Sequence, residues 1–464
     1  MKKFLSYFLC AAMILGITGC SETGGPAVTT PDPNPVDVSD IDLDEIPKEI
    51  DIKGKVVKYL GGYDVTEAGD IKPAYVYFKE TYGADIEVLK HSGDLMEKLS
   101  TMMQSGESPD LMDQQSNSFP YYIGKNTYTA LDDYMDLSAP QWKDVSGFID
   151  KCAIDGKHYY YPWAYFVSPN FLIYNRGKFK ELAIDDPKEL YDKNEWTWDA
   201  MAKCMKEFVD NVKGEDPLAL GLYGFMNTSF INSTGVALVD FKDGQLVSNL
   251  NDPNVDRAQS FLENLKKQGL SNTYYDDGTF DGLSVSPVIN GHAAFQAMGD
   301  WRITEYSQKM ADDDTLDIFF VPYPRDPNAD KYYHKLDTFG YFVPAGAPNV
   351  EASCVFINCI RLSKLDEKLK ETTKKSIMNS KKYTEEQYEF WDYYQTTSNF
   401  KPEELVSDFA RNLDKDTFDK VTSLLTENVP FNDNEDTESW TVMRSSMGPL
   451  LDKSLSEINA TLKG

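Results

Sequence analysis

Short runs of alternating apolar and polar residues are separated by longer amphipathic stretches over the first third of the chain. Residues 55–60 predict a strand that ends at a Gly-Gly pair, residues 72–82 predict a helix, and "ADIEVLK" predicts a second strand. From Asp94, apolar residues fall on one helical face until Gly106, and "SPDLMD" predicts a third strand. This strand–helix–strand–helix–strand order predicts a parallel sheet with right-handed crossovers.

Polar and aromatic residues follow the first and third of these strands. Tyr63 and Asp64 come after the Gly-Gly pair, and Asp113 and Gln114 follow "SPDLM". Ligands of open α/β sheets bind outside the carboxyl ends of the strands, so we expect these four side chains to lie together at a binding site. The alternative is that Asp64 and Asp113 are ordinary loop acids.

The remaining chain alternates between helical and extended patterns, with no internal repeat. "WTWDAMAKCMKEFVDNV" predicts a helix capped by Thr197, and "VDRAQSFLENLKKQG" predicts a helix closed by Gly269. "TLDIFFVPYP" predicts a strand buried on both faces, and "TFGYFVPAGAP" is extended. From Val350 onward the pattern is mostly helical. The whole therefore predicts an α/β protein.

The amino terminus has the layout of a secretory signal. A positive start precedes an apolar run over residues 4–19, which is shorter than the ~20 residues that span a bilayer core. The segment "ITGC" resembles the lipobox of bacterial lipoproteins, which implies removal of residues 1–19 and lipidation of Cys20 (palmitate in part). The alternative is a plain signal peptide. We expect a protein anchored in the cell membrane on its extracytoplasmic face.

Residues 20–50 are expected to form a flexible spacer between the lipid and the folded part. Residues 21–50 contain five prolines and eight acids against one lysine, and they have no periodic apolar face. Such a segment cannot bury enough apolar surface to offset its chain entropy.

The charge of the chain restricts its partners. The formal net charge is −29, and removal of Lys2 and Lys3 with the signal gives −31. Nucleic acid requires a basic surface, so a nucleic-acid partner is excluded, and adsorption to anionic lipid is disfavoured. A neutral small molecule remains compatible with this composition, and the length predicts two or more domains.

Four cysteines remain after Cys10 leaves with the signal and Cys20 takes the lipid: Cys152, Cys204, Cys354 and Cys359. They are scattered, without a CxxC motif or a histidine at ligand spacing. We therefore expect buried free thiols, without a zinc site or a dense disulfide framework; whether any two pair is left open. No cofactor is expected.

Several stretches in order resemble the extracellular solute-binding proteins of carbohydrate ABC importers, the maltose-binding-protein-like group. They are "VYFKETYGADIEV", "LMEKLSTMMQSGESPDLMD", "DGKHYYYPWAYFVSPNFLIYNRGKF", "WTWDAM", "INGHAAFQAMGDWRI" and "FVPAGAPNVEASCVFINCI". Each motif alone is common; the order, behind a lipobox, is specific. The resemblance covers about residues 55–460.

The resemblance implies two α/β lobes, each with a mainly parallel sheet, joined by a hinge that closes on the ligand. We expect crossings near Pro162 and Thr338. The expected boundaries are 51–162 for the first part of the first lobe, 163–337 for the first part of the second lobe, 338–375 for the return to the first lobe, and 376–464 for C-terminal helices mainly of the second lobe.

A sugar site combines aromatic platforms with side chains that exchange hydrogen bonds with hydroxyls. The resemblance implies Trp301 as a stacking platform, and further candidates are a second and a third tryptophan, a tyrosine matched by context and the two neighbours of Trp301. These candidates are Trp440, Trp163, Tyr223, Asp300 and Arg302. Core packing is the alternative for each tryptophan, and hinge packing for Trp163. "PDLMDQQ" lacks the aromatic that the maltose-binding pattern has after "PDL", which argues against maltose itself.

The expected function is capture of a carbohydrate, preferably an oligosaccharide, by a monomer that delivers it to ABC permease subunits without catalysis. The alternatives are a secreted glycoside hydrolase, a glycan-capture protein without an importer, and a relative that binds a polyamine, peptide or metal complex. No hydrolase signature is present. The acidic runs at 312–314 and 433–436 lack the spacing of a calcium loop, so no metal site is predicted.

Overall fold

A computed structural model of the chain describes residues 50–68, 71–212, 218–221, 228–270, 286–299, 310, 313, 315–379, 383–426 and 439–462. The signal segment 1–19, Cys20 and all but the last residue of the spacer lie outside these ranges. Within them, no helix is both long and apolar enough to cross a membrane.

In the described ranges the chain forms twelve strands in three sheets. They are β1 (Val56–Gly61), β2 (Asp85–Lys90), β3 (Leu111–Asp113), β4 (Tyr161–Val167), β5 (Asn170–Asn175), β6 (Leu218–Gly221), β7 (Val239–Lys242), β8 (Gln245–Ser248), β9 (Ala293–Gly299), β10 (Ile318–Pro322), β11 (His334–Phe342) and β12 (Leu405–Val406).

Fourteen α-helices occur in the same ranges. They are α1 (Lys72–Tyr82), α2 (Leu95–Gln104), α3 (Ser146–Lys151), α4 (Arg176–Glu181), α5 (Pro187–Asp192), α6 (Trp198–Asn211), α7 (Thr228–Asn232), α8 (Pro253–Lys267), α9 (Ser286–Ile289), α10 (Val350–Ser363), α11 (Glu367–Asn379), α12 (Glu385–Gln395), α13 (Lys415–Thr426) and α14 (Trp440–Leu462).

The predicted helix ends are confirmed by their caps. The side chain of Asp94 accepts hydrogen bonds from the first turn of α2, and that of Thr197 accepts one from the first turn of α6. Gly106 and Gly269 follow α2 and α8 with φ of 74° and 70°, the left-handed conformation in which glycine is least strained.

The first sheet has the strand order β12-β11-β3-β1-β2, and β4 pairs with β11. β1 runs parallel to both β2 and β3, which confirms the parallel arrangement predicted from the sequence. The sheet is buried on both faces: Leu60 and Met112 pack into one core, while Tyr59 and Leu111 pack into the other. The carboxyl ends of β1 and β3 consequently meet at one edge.

Two long strands connect the first sheet to the rest of the chain. β4 and β11 are antiparallel, and their register places Pro162 opposite Gly340 and Tyr165 opposite Thr338. Pro162 and Thr338, near which the crossings are predicted, lie in these two strands. The register shifts between Phe339 and Gly340, so the ladder contains an irregularity at this point.

The second sheet, in the order β10-β5-β9-β6, differs from the mainly parallel sheet predicted for each lobe. β5 is antiparallel to β9 and to β10, and only β6 and β9 are parallel. β5 starts three residues after β4 and leads away from the crossing, whereas β10 leads back toward β11. The two strands therefore run in opposite directions.

Helices from distant parts of the sequence pack against the second and third sheets and against each other. Trp198 of α6 stacks on Phe261 of α8 at 5.0 Å between ring centroids. Asn459 of α14 exchanges two hydrogen bonds of 2.8 Å with the backbone of Leu246 in β8. On α12, Gln387 donates to the carbonyl oxygen of Ile318 in β10 at 2.8 Å. The last helices thus contact the second sheet and its helices.

The four cysteines of the described ranges are all buried and unpaired, as predicted. Burial raises the pKa of each thiol above its usual value. Cys354 and Cys359 lie in α10, which is enclosed along almost its whole length.

A buried histidine stands at the start of β11. The Nδ1 of His334 lies 2.9 Å from the Oγ of Ser168, and the rings of Tyr394 and Phe400 pack against the imidazole. Burial lowers the pKa of His334 to about 3. The imidazole is therefore neutral in the folded protein well below the pH at which it protonates in the unfolded chain.

We predict that His334 makes folding less favourable in acid. Between about pH 6.5 and pH 3 the unfolded chain binds one more proton at this residue, so stability falls with falling pH by up to about 1.4 kcal/mol per unit. His334→Gln should remove this contribution. Urea titrations of the parent protein and His334→Gln at pH 7 and pH 5 measure this contribution. If the two proteins differ in free energy of unfolding by the same amount at both pH values, the prediction is wrong.

Candidate ligand-binding site

The edge where β1 and β3 end is shaped by a glycine. The hydroxyl of Tyr59 lies over Gly61: a Cβ atom at Gly61 would stand 2.1 Å from the Tyr59 hydroxyl oxygen, far inside van der Waals contact. Because Gly61 has no side chain, the Tyr59 ring folds back over the strand. Gly62, the next residue, is exposed at this edge.

Asp113, the last residue of β3, is the most unusual charged group at this edge. Its side chain is buried, with 8% of the residue exposed, and its Oδ1 has no hydrogen-bond partner in the described part of the chain. Burial raises the pKa of the Asp113 carboxyl to about 7, although the backbone amides of Gly62 and Gln114 act in the opposite direction. The buried Asp113 carboxyl can therefore accept a hydrogen bond when it is ionised, or donate one when it is protonated.

Three tyrosines that contact one another lie at the same edge as this carboxyl. The Tyr63 hydroxyl lies 2.9 Å from the Tyr341 hydroxyl, and the Tyr59 ring packs edge-on against both rings at 6.0 and 5.4 Å. Burial and the nearby Asp113 raise the pKa of Tyr59 and Tyr341 well above the usual value, so both phenols stay protonated. Two neutral phenols, those of Tyr59 and Tyr341, therefore lie close enough to Asp113 to interact with it electrostatically.

Asp64 belongs to the same edge, and the fold already uses one of its oxygens. Its Oδ1 accepts hydrogen bonds from the backbone nitrogen (2.9 Å) and the hydroxyl (2.6 Å) of Thr66. These bonds hold the loop after β1 in a turn. Asp64 and Tyr63 are both half-buried.

Gln114 points toward the crossing strands. Its Oε1 accepts hydrogen bonds from the hydroxyl of Tyr160 and from the backbone nitrogen of Gly340, the latter at 2.9 Å. Its Nε2 donates to the carbonyl oxygen of Thr338 at 3.2 Å. Four of the predicted site residues, Tyr63, Asp64, Asp113 and Gln114, therefore come together at the ends of β1 and β3.

Trp163 and Trp440 are buried in other parts of the structure. Trp163, 4% exposed, packs against Phe339 and Tyr341, and its indole nitrogen has no hydrogen-bond partner in the described ranges. Trp440, 2% exposed, donates from its indole nitrogen to Asp256 of α8 at 2.8 Å. Neither ring presents an open face for stacking.

The other predicted residues of the site, Tyr223, Asp300, Trp301 and Arg302, lie outside the described residues. The described strand β9 ends at Gly299, immediately before Asp300, and pairs Gly299 with Asn170 at the start of β5. Tyr223 follows β6, whose last residue is Gly221. Their roles remain predictions.

Tyr59, Tyr160 and Tyr341 belong to the site but are not among the residues predicted for it. A signal was available for two of them: Tyr59 precedes the Gly-Gly pair by two residues, and Tyr341 alternates with Phe339 in an extended segment. Tyr160, fully enclosed, is recognised only through its contacts with Gln114 and Thr338.

The arrangement can bind a hydroxyl-bearing solute through hydrogen bonds. The described edge offers carboxylates, phenols and exposed backbone at Gly62, all of which exchange hydrogen bonds with hydroxyl groups. In the described ranges, no three His, Cys, Asp or Glu side chains are placed to hold a metal ion.

A family model described as bacterial extracellular solute-binding protein matches residues 74–399 of the chain. This match spans both crossing strands, the described edge at β3 and the second sheet.

Solved structures share the two-lobed fold at low sequence identity. One is the galacto-N-biose-/lacto-N-biose I-binding protein of an ABC transporter from Bifidobacterium longum, in complex with lacto-N-biose (TM-score 0.60, 14% identity, 87% of this chain and 97% of that chain). Another is the cyclic alpha-maltosyl-1,6-maltose binding protein from Arthrobacter globiformis (TM-score 0.58, 15% identity, 88% of this chain and 99% of that chain). A third is UgpB from Mycobacterium tuberculosis in complex with glycerophosphocholine (TM-score 0.61, 13% identity, 86% of this chain and 98% of that chain). Identities this low establish the fold alone.

We predict that Asp113 makes folding less favourable as the pH rises. The pKa of Asp113 in the folded protein, about 7, lies above its value in the unfolded chain. The free energy of unfolding therefore includes the full contribution of Asp113 below about pH 4. It loses this contribution as the pH rises toward 7, by up to about 1.4 kcal/mol per pH unit. Asp113→Asn should therefore gain stability relative to the parent protein between pH 4 and pH 7. Chemical denaturation at both pH values tests this, with Asp133→Asn, a change at an exposed loop acid, as the control. Equal gains in both variants would contradict it.

Proposed function

Because this chain belongs to the bacterial extracellular solute-binding proteins, we propose that it captures a carbohydrate between its two lobes and delivers it to the permease of an ABC transporter. An oligosaccharide is the preferred ligand class. The protein acts by binding and release, without altering the ligand.

The observation that carries this proposal is the edge formed by Tyr63, Asp64 and Asp113. A buried carboxyl with an unpartnered oxygen, beside phenols and exposed backbone, matches the hydrogen-bonding rim of a sugar. Trp301, which the resemblance places as a stacking platform, would supply the apolar contact. A ligand that touches both lobes favours their closed arrangement because its affinity for that arrangement is greater.

Support for a carbohydrate also comes from the relatives. Two of the three solved structures above are named for saccharide ligands, and one of these belongs to an ABC transporter. The third was solved with glycerophosphocholine, so the fold accommodates more than one ligand class.

A polyamine is the second candidate ligand, favoured by one observation. Asp64 and Asp113 lie at the same edge, and a cationic group placed between them would gain from both carboxylates. Such a ligand would lower the pKa of Asp113, whereas a hydroxyl donor would have a smaller effect.

We predict that one ligand class raises the melting temperature of the exported chain carrying Cys20→Ser. A ligand at 100 times its dissociation constant adds about 2.7 kcal/mol, which moves the transition by several degrees. The screen contains neutral oligosaccharides, polyamines, short peptides and glycerophosphodiesters, and each stabilising compound is recovered and its mass checked. A shortened saccharide would identify a hydrolase, and stabilisation by polyamines or peptides alone would reject the carbohydrate.

Variants at the site test which residues bind the ligand. Asp113→Asn should weaken binding about tenfold, close to 1.4 kcal/mol, because the amide replaces a charged acceptor. Trp301→Ala should abolish the thermal shift. Asp136→Asn and Trp391→Ala are the matched controls on the exposed loop and on α12. Retention of full affinity in both site variants would remove these residues from the site.

We further propose that lipidation of Cys20 holds the protein at the membrane. Replacement of residues 1–20 by a cleavable signal peptide without a lipobox should move the protein from the membrane fraction to the soluble extracytoplasmic fraction, because the remaining charge of the chain disfavours lipid adsorption. Immunoblots of the two fractions measure the shift. Membrane retention of the variant would contradict the anchor.

A further inference from the structure

Gln114 uses both ends of its side-chain amide within the protein. The oxygen accepts from the Tyr160 hydroxyl and from the Gly340 nitrogen, and the nitrogen donates to the Thr338 carbonyl. The backbone nitrogen of Gln114 also donates to the carbonyl oxygen of Gly340, at 3.2 Å. A side chain so fully engaged is poorly suited to bind a ligand directly.

The three partners lie at the crossing between the two lobes. Thr338 and Gly340 belong to β11, and Tyr160 immediately precedes β4. They are 224, 226 and 46 residues from Gln114 along the chain. One side chain at the end of β3 thus connects the binding edge to both crossing segments.

These bonds are made where the crossing ladder is irregular. The register of β4 and β11 shifts between Phe339 and Gly340, and a bulge leaves backbone groups without ladder partners and bends the strand. Gln114 satisfies the nitrogen of Gly340 at this point. The approach is close: a Cβ atom on Gly340 would lie 2.9 Å from the Cα of Pro162 and 3.0 Å from the Tyr160 ring.

We infer that Gln114 is a positioning residue that braces the irregular point of the crossing and thereby restricts the relative orientation of the two lobes. Because Asp113 is its covalent neighbour, a rearrangement at Gly340 also displaces the carboxyl at the binding edge. The inference depends on the two-lobed fold and is independent of the ligand class.

The next residue along the chain provides a matched control. Gln115 is also a half-buried glutamine, but its Nε2 contacts only the carbonyl oxygens of Gln114 (2.9 Å) and Asp113 (3.5 Å). Within the described ranges, the Gln115 side chain makes no hydrogen bond to the crossing strands. Gln115→Met therefore removes a glutamine from the same loop without removing the brace.

The experiment measures the distance between the lobes directly. Spin labels on cysteines introduced at exposed Ser105, after α2, and exposed Ser260, in α8, report one lobe each, while the four buried native thiols stay unlabelled. Pulsed electron–electron double resonance should give a distribution of label-to-label distances at least about twofold wider for Gln114→Met than for the parent protein. The reason is that a hinge without this brace samples more orientations. Gln115→Met should match the parent protein.

Circular dichroism melting separates a loosened hinge from unfolding. If Gln114→Met fails to fold, Tyr160→Phe replaces it, since this variant removes one hydrogen bond to Gln114 and keeps the ring stacked on Phe342 at 4.9 Å. Tyr160→Phe should also widen the distribution, by a smaller factor. A folded variant with the parent distribution, or equal widening in Gln115→Met, would overturn the inference.

Discussion

The antiparallel ladder between β4 and β11 is the interaction on which the rest of the structure depends. Its partners are more than 160 residues apart, and β11 extends the first sheet through β3 at the same time. Neither sheet is made from one continuous segment: the chain leaves the first through β4 and returns to it through β11. Formation of this ladder therefore closes a loop of more than 160 residues, and the two cores must offset the entropic cost of that closure.

The binding edge concentrates groups that are unfavourable for stability. Asp113 is a buried acid that has no counter-charge among the described residues, and Gly61 leaves its strand without a side chain so that the Tyr59 ring can fold over it. Such local cost is expected where a protein keeps polar groups ready for a ligand. The surrounding strands tolerate it because β1 and β3 bury residues on both of their faces, Leu60 and Met112 in one core and Tyr59 and Leu111 in the other.

Local periodicity predicted the first sheet well, because each strand or helix there carries its own pattern and its own cap. Asp94, Thr197 and the two closing glycines act through contacts within a few residues, which a sequence displays directly. The antiparallel direction of β5 was missed, since a strand buried on both faces shows no alternation from which its neighbours can be inferred. The position of the binding edge could be predicted because ligands of open α/β sheets bind outside the carboxyl ends of the strands.

Within the site, the sequence separated residue types but not their roles. "DQQS" contains two adjacent glutamines that look equivalent, yet only Gln114 reaches partners 46 to 226 residues away. Trp163 and Trp440 looked like platforms because tryptophan suits that task, whereas their burial depends on helices and strands far along the chain. Long-range contacts of this kind leave no local signal.

The enclosure of the four thiols has a consequence for the lifetime of the protein outside the cytoplasm. Thiolate is the species that reacts with oxidants and disulfides, and an interior that suppresses it also denies reagents access. A chain with unpaired cysteines in an oxidising environment would otherwise be vulnerable to mixed disulfides and irreversible damage. Among the described residues, the folded protein keeps its four thiols protonated and enclosed, so these cysteines add no disulfide-forming step to its maturation.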